Sequence, residues 1–584
     1  MRRIRLVSAV SSGVLLATAS AAFGLSSAGA SPAADMAATP ARAASTQQDY
    51  LVLYSSPAAA ASARAAIKAA GGSLLKENRR VGYALVRTSR TSFATTVTRS
   101  TAVDGTARNR VIGVAPRTVR ARTDDVERLP REREAVRGTG GQADAPTARR
   151  SKAAAVPAPE PLANRQWDMR QISATPTGSY ARQPGKRTVL VGVIDTGIDG
   201  SHPDVAPNFD DADSHNFVTD NPAIDGPCEV ASCVDPANVD DGGHGTHVAS
   251  TIASPLNGLG IAGVAPNVRV ANLRAGQDSG FFFLQPTLEA ITYAGDIGAD
   301  VINMSFFIDP WLFNCVDNPA DSQAERTEQR VVRQATQRAL NYARRHGVLP
   351  VSSLGNEFMN LNAPTTDTTS PDFPAGAERT RTIDNSCITV PTESRGVMSV
   401  AATGPSTRMA FYSNYGTEQN DVSAPGGDFW DSPDNTGDPR NLVLAAYPER
   451  LARANGDLNA DGTPNTPFVV RDCKGSVCGY YQYAQGTSMA SPHAAGVAAL
   501  VVSQFGVADR RHPGLTLAPT RTQRIVQRTA VDHPCPQPRT FTWTRVLANG
   551  QVATQSATCT GGTGDNGFYG NGIVNAFTAV AGAR

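Results

Sequence analysis

The chain has 584 residues, 40% of them apolar and 18% charged, and a net charge of +2. That composition excludes a wholly disordered polypeptide, whose few apolar residues could not offset the entropy of ordering. The 52 glycines show no three-residue period, which excludes collagen.

The charge is unevenly placed. Residues 31–165 carry 22 basic and 11 acidic side chains, whereas residues 166–584 carry 29 basic and 41 acidic ones. Oppositely charged parts favour mutual association. The basic residues are scattered among few aromatics, so no nucleic-acid partner is expected.

In chain order, Arg2, Arg3 and Arg5 precede a mostly small, apolar run from Leu6 to Phe23, and Ala28-Gly29-Ala30 offers a cleavage site after Ala30. This pattern predicts a signal peptide over 1–30 and secretion to the extracellular space. Polar residues interrupt the run too often for a membrane span, so no membrane association is expected after signal cleavage. Export permits disulfides. All eight cysteines lie beyond residue 227, and sequence alone leaves their connectivity open. Close spacing makes Cys228 with Cys233, and Cys473 with Cys478, candidate pairs. Cys535 with Cys559 would staple a C-terminal loop, leaving Cys315 with Cys387. No zinc-ligand spacing occurs.

A small domain is expected over 31–120. Tyr50–Tyr54 reads as a strand, and Ser56 and Pro57 as the cap and first position of a helix ending at Gly71-Gly72. Tyr83–Val86 and Val111–Ala115 read as further strands. Residues 121–160 are rich in Arg, Asp, Glu, Pro and Gly, the composition of an exposed linker open to proteolysis. From 161 to 584, apolar strands alternate with helices. Strands are expected at Thr188–Ile194, within Gly263–Asn272, at Val301–Met304 and at Gly347–Ser352. Helices are expected at Leu288–Ile297 and 323–345. This order predicts an α/β fold with a mostly parallel sheet flanked by helices.

Three segments carry chemistry. Asp195-Thr196-Gly197 follows a buried apolar strand, at the end where α/β sheets bind ligands. Gly242-Gly243-His244-Gly245-Thr246-His247 leads into a helix from Val248; His244 and His247 lack the glutamate of a His-Glu-x-x-His zinc site. Gly486-Thr487-Ser488-Met489-Ala490-Ser491-Pro492 precedes a second apolar helix. Ser488 is thereby expected at a helix N-terminus, where negative charge is favoured.

Together these segments resemble the subtilisin-like serine proteases, the subtilases, in the order Asp, His, Ser. The resemblance spans roughly 160–584. It extends to Gly263-Val264-Ala265-Pro266, Val301-Ile302-Asn303-Met304-Ser305, Ser423-Ala424-Pro425-Gly426 and Gly570-Asn571-Gly572-Ile573-Val574-Asn575. It implies a serine endopeptidase with Ser488 as nucleophile, His244 as general base, Asp195 orienting the imidazole and Asn356 in the oxyanion hole. It places Ser305, Phe306, Phe307, Leu354 and Gly355 along the peptide-binding edge. Phe306-Phe307-Ile308 stands where the family usually has Leu-Gly-Gly, so the specificity pocket should be narrowed or its rim reshaped, and Glu357 would favour a basic residue. The N-terminal domain resembles the family's propeptide, an intramolecular inhibitor of a self-processing zymogen. Catalysis would need no cofactor and no metal. Structural calcium is a candidate at Asp204 and Asn257 and at Asp457–Gly462, although Phe468 occupies the closing position of the second loop. Insertions are expected near 208–241 and 427–480. Partners would be protein or peptide substrates, and the enzyme a monomer. The alternative is a catalytically silent peptide-binding pseudoprotease.

Overall fold

The computed structural model describes residues 47–109, 158–219, 225, 234–373 and 376–582. The signal peptide, the strand expected at Val111–Ala115, nearly all of the linker with its maturation site, and the Cys228–Cys233 pair lie outside these residues.

The small domain runs β1 (Gln48–Tyr54), a 3-10 turn at Pro57–Ala59, α1 (Ala60–Ala69), β2 (Ser73–Asn78), β3 (Tyr83–Thr88), α2 (Phe93–Val97) and β4 (Val103–Asn109). Its antiparallel sheet has the order β2-β3-β1-β4. Ser56 does cap the turn in position, with Pro57 first, but its side chain makes no capping bond. Sequence reading passes over β2 and β4. Leu74 and Leu75 of β2 are solvent-exposed, and β4 carries polar residues between Val103 and Ala107. Both are recruited by pairing rather than by an apolar run.

Side chains alternate across this sheet. Tyr50, Val52, Tyr54 and Val86 bury against Ile67, Phe93 and Val97. Leu51, Leu53, Tyr83 and Ala107 face the other way and join the core of the large domain.

The large domain begins with α3 (Trp167–Gln171) and continues β5 (Leu190–Ile194), β6 (His215–Asn216), α4 (His244–Ala253), β7 (Arg269–Arg274), α5 (Leu284–Asp296), β8 (Val301–Met304), α6 (Gln323–Arg345) and β9 (Leu349–Ser353). A short pair, β10 (Thr366–Asp367) and β11 (Arg381–Thr382), precedes β12 (Met398–Thr403) and β13 (Val422–Pro425). The main sheet has the order β13-β12-β9-β8-β5-β7-β6 and is parallel throughout. Helices cover both faces, so every residue of Leu190–Ile194 and Val301–Met304 is buried and neither strand alternates.

Residues 427–480 contribute structure rather than a loose insertion. β14 (Val443–Ala446), α7 (Glu449–Ala454), β15 (Val469–Lys474) and β16 (Val477–Ala484) follow, and the three strands form an antiparallel sheet packed against α4. α8 (Thr487–Phe505) then passes through the core, buried from Thr487 to Ser503. Disulfides join Cys315 to Cys387, Cys473 to Cys478 and Cys535 to Cys559.

Candidate active site

The chemistry-bearing residues gather at the carboxyl ends of three neighbouring strands. Asp195 follows β5, Ser305 follows β8, and Leu354-Gly355-Asn356 follow β9. Two helices begin there: α4 with His244 as its first residue, and α8 with Ser488 as its second. The two helices pack against each other.

His244 Nδ1 meets Asp195 Oδ1 at 2.7 Å. Asp195 is fully buried, and the Thr196 N–H donates to the same oxygen at 2.8 Å. Burial pushes the Asp195 carboxyl above the ordinary aspartate value; the charge of His244 and its hydrogen bond pull the other way. His244 retains 18% side-chain exposure, so its other edge can reach a ligand. Glycine is required beside it: a Cβ on Gly245 would lie 2.0 Å from the Gly197 carbonyl oxygen.

Ser488 is 4% exposed, and its hydroxyl donates to the Ser305 carbonyl at 3.3 Å. Its own carbonyl accepts from Ser305 Oγ at 3.1 Å. Asn303 Nδ2 donates to Ser305 Oγ at 2.9 Å, and Ser491 Oγ donates to Asn303 Oδ1 at 2.6 Å. These bonds fasten the first turn of α8 to β8. Asn356 Oδ1 accepts from both the N–H and the hydroxyl of Thr487, each at 2.9 Å. A backbone N–H can only donate, so the amide oxygen is committed to Thr487 and the NH2 is the end left to act as donor. Gly355 has φ +105°, and its N–H donates to Thr487 Oγ1 at 3.0 Å.

The two aromatic residues after Ser305 are partly absorbed by the protein. Phe306 is 9% exposed and stacks face to face on Phe282, with centroids 4.1 Å apart. Phe307 packs against an apolar cluster that includes Leu312, Phe313, the fully buried Leu354 and Leu361. Glu357 accepts from Asn414 Nδ2 at 2.5 Å, and burial pushes its carboxyl above the ordinary glutamate value. His247 does not join the site: its Nε2 lies 3.2 and 3.1 Å from the Val443 and Gln482 carbonyls, which gives it a packing role.

The structure adds residues that sequence reading missed. His493, on α8, has Nδ1 2.8 Å from the Met489 carbonyl and Nε2 3.1 Å from Asp168 Oδ2; both side chains are fully buried. The carbonyl accepts only, so Nδ1 carries a hydrogen and a further proton lies between Nε2 and Asp168. These partners are 325 residues apart, and no local pattern announces them. Asp240 accepts five hydrogen bonds ahead of α4. Its signal was present, an acid just before a helix start.

The two candidate calcium loops differ. In the Asp457–Gly462 loop, Asp461 Oδ1 accepts from the Thr463 N–H and hydroxyl, and Asn459 Nδ2 donates to Thr463 Oγ1, so these groups do not fit a cation. At Asp204, two buried carboxylates converge on the loop 257–261. Asp204 accepts from Asn257 Nδ2, the Ile261 N–H and Tyr481 OH, and Glu160 accepts from the Gly258 N–H. Burial raises both carboxyls, and the charge of Glu160 raises Asp204 further. The Asn257 amide is itself committed, its Nδ2 to Asp204 and its Oδ1 to the Leu259 N–H, so only the two carboxylates, whose burial and repulsion a hard cation would relieve, fit calcium.

A family model described as the Subtilase family matches residues 186–572. A thermophilic serine proteinase from Bacillus sp. (strain AK1) is 30% identical over 54% of this chain and 52% of its own length. Thermitase from Thermoactinomyces vulgaris is 26% identical over 59% of this chain and 84% of its own length. Among solved structures, the epidermin leader peptide processing serine protease from Staphylococcus aureus superposes with a TM-score of 0.58 at 20% identity, covering 92% of this chain and 99% of that one. The chain thus spans about half the length of the first of these curated relatives.

Proposed function

The chain belongs to the Subtilase family, and from that premise we propose that it is a secreted serine endopeptidase produced as a self-processing precursor. The observation that carries this reading is the convergence at the strand ends: Asp195 on His244 at 2.7 Å, and Ser488 at the start of α8 beside an Asn356 whose carbonyl is already committed. A serine hydroxyl is a weak nucleophile and needs an adjacent base. His244 removes the Ser488 proton as Oγ attacks the scissile carbonyl, and later returns it to the leaving amine. Asp195 fixes the tautomer through Nδ1 and stabilises the imidazolium. The tetrahedral oxyanion is met by the Ser488 N–H and the Asn356 amide. Collapse gives an acyl-enzyme, which water hydrolyses. No cofactor enters these steps.

The substrate peptide lies along the residues after β8 and β9, with Ser305, Gly355 and the rim formed by Phe306 and Phe307 as its neighbours. Phe307 packed on Leu312, Phe313 and Leu354 supports a shallow specificity pocket, and Glu357 at its edge supports a preference for a basic side chain. Calcium, when held by Asp204 and Glu160, would stabilise the loop that follows α4.

The small domain serves as propeptide. Its contacts support this: Arg80 with Asp296 at 2.9 Å, Arg338 with Asp104 at 2.5 Å, Arg338 Nη1 donating to the Tyr54 carbonyl at 2.6 Å, and Tyr83 OH donating to Glu289. They lie on α5 and α6.

The test is intact mass and N-terminal sequencing of secreted wild type beside Ser488→Ala. Wild type should lose everything before a cut between about 112 and 163, while the variant, with turnover reduced about 10⁶-fold, keeps its propeptide. If the Ser488→Ala protein is processed in a protease-free host, self-processing is wrong.

A further inference from the structure

The first helix of the site begins without a cap of its own. Gly243, the residue before α4, has no side chain and sits at φ +81°. A helix start exposes N–H groups that must find acceptors. Asp240, three residues further back, provides them. Its Oδ1 accepts from the Gly243 N–H at 2.8 Å and the Gly242 N–H at 3.1 Å, and its Oδ2 accepts from the Thr246 N–H at 2.9 Å and the Thr246 hydroxyl at 2.6 Å. A fifth bond leaves this loop: Thr196 Oγ1 donates to Asp240 Oδ1 at 3.0 Å. Thr196 follows Asp195, and its N–H holds Asp195 Oδ1, the oxygen that faces His244. The same Thr196 hydroxyl accepts from the Gly245 N–H at 3.1 Å.

One buried carboxylate, 2% exposed, therefore ties the turn that carries Asp195 to the helix that carries His244. The packing leaves little slack. A Cβ on Gly242 would lie 2.9 Å from Thr196, and one on Gly197 would lie 2.5 Å from the Val239 carbonyl. We propose that Asp240 is a positioning residue for catalysis: it sets the Asp195–His244 geometry and places a fixed negative charge at the positive end of the helix on which the imidazolium forms. The proposal rests on the assignment of Asp195 and His244 given above.

The charge matters as much as the reach. A helix N-terminus carries about half a positive charge and disfavours a cation there. An imidazolium on the first residue of α4 pays that penalty unless an anion offsets it. The charged groups around Asp240 include Asp195 at the end of β5, His244 on α4, Arg274 at the end of β7 with its partners Asp235 and Asp278, and the adjoining Asp241, which pairs with Arg450 of α7. An amide in place of the Asp240 carboxylate would keep the size, lose the charge and offer one acceptor oxygen to five donors.

The experiment compares wild type, Asp240→Asn and Thr196→Val by steady-state kinetics across pH on a peptide substrate, with melting curves as the folding control. In Asp240→Asn, kcat should fall about 10²-fold, the scale of a small misplacement of catalytic groups, with KM nearly unchanged. The acid limb of its kcat/KM profile should move to lower pH, because a lost anion makes the imidazolium easier to deprotonate. Thr196→Val deletes one hydroxyl and should show a smaller kcat loss with no shift of that limb. If Asp240→Asn does not fold, Thr196→Val decides alone: an unchanged kcat overturns the proposal. A folded Asp240→Asn with wild-type kcat and an unmoved acid limb also overturns it. An inactive wild type would instead overturn the proposed function.

Discussion

The two helices that start at the active site are dressed in opposite ways. Both follow a glycine with positive φ, Gly243 at +81° and Gly486 at +151°, and neither has an acid in its first turn. At α4 the carboxylate of Asp240 takes the exposed N–H groups. At α8 the partner is neutral: the Asn356 carbonyl accepts from Thr487. The difference follows from the charge each helix must face. In the proposed mechanism His244 becomes a cation, which a bare N-terminus opposes by about 0.3–1 kcal/mol. In the same mechanism Ser488 gives rise to an oxyanion, which that field favours, and a carboxylate there would cancel the benefit.

The largest effect comes from stripping the neutral partner. Asn356→Ala should lower kcat about 10²–10³-fold with little change in KM, measured on a peptide substrate. An equal loss carried in KM would mean that Asn356 binds substrate rather than the oxyanion.

The far side of α8 is held by the buried Asp168–His493 pair. Removing one member of such a pair leaves the other unmatched. Asp168→Asn should lower stability by about 3 kcal/mol in denaturant melts, the low end for a broken buried pair. An unchanged midpoint would show that the pair does not tie α3 to α8.

The far end of α4 runs into the Asp204 loop, where Ser254 Oγ donates to the Asp204 carbonyl at 2.9 Å. Chelator should lower the melting temperature of Ser488→Ala protein, and added calcium should restore it. Asp204→Asn should abolish that response. A response that survives Asp204→Asn places the cation elsewhere.

A pH-dependent effect concerns Asp428, beyond the Gly426–Gly427 segment against which Gly486 hydrogen-bonds. Burial, then the charge of Asp431, pushes its carboxyl from 3.8 up to about 7. The folded state therefore favours the protonated form. That contribution is complete below the unfolded value and is lost as pH rises through about 7. Asp428→Asn should flatten the fall in melting temperature between about pH 4 and 8. A curve that still falls as in wild type would assign the loss to other groups.

What rests on local pattern is legible in the sequence. Val301–Met304 and 323–345 form as expected, the first a short run of four residues led by the β-branched Val301 and Ile302 and the second a long run with a 3.6-residue period. The motif residues Asp195, His244, Ser488 and Asn356 do come to one end of the sheet. Helix α4 starts earlier than the apolar pattern places it, at His244 rather than Val248, while α8 starts at Thr487 and so has Ser488 at its N-terminus as expected. Their first turns are Gly, Thr and Ser held by hydrogen bonds rather than by apolar periodicity. β2 and β4 are illegible for the related reason that partners across the sheet, not their own side chains, hold them. Asp168 and Glu160 gain meaning only from residues far along the chain.

The central claim is an activated Ser488. A serine-directed phosphonate incubated with matured wild type, followed by peptide mapping, tests it directly. The account predicts one covalent adduct, on Ser488, and none once the matured protein is unfolded. A folded wild type that takes up no phosphonate at Ser488 would contradict it.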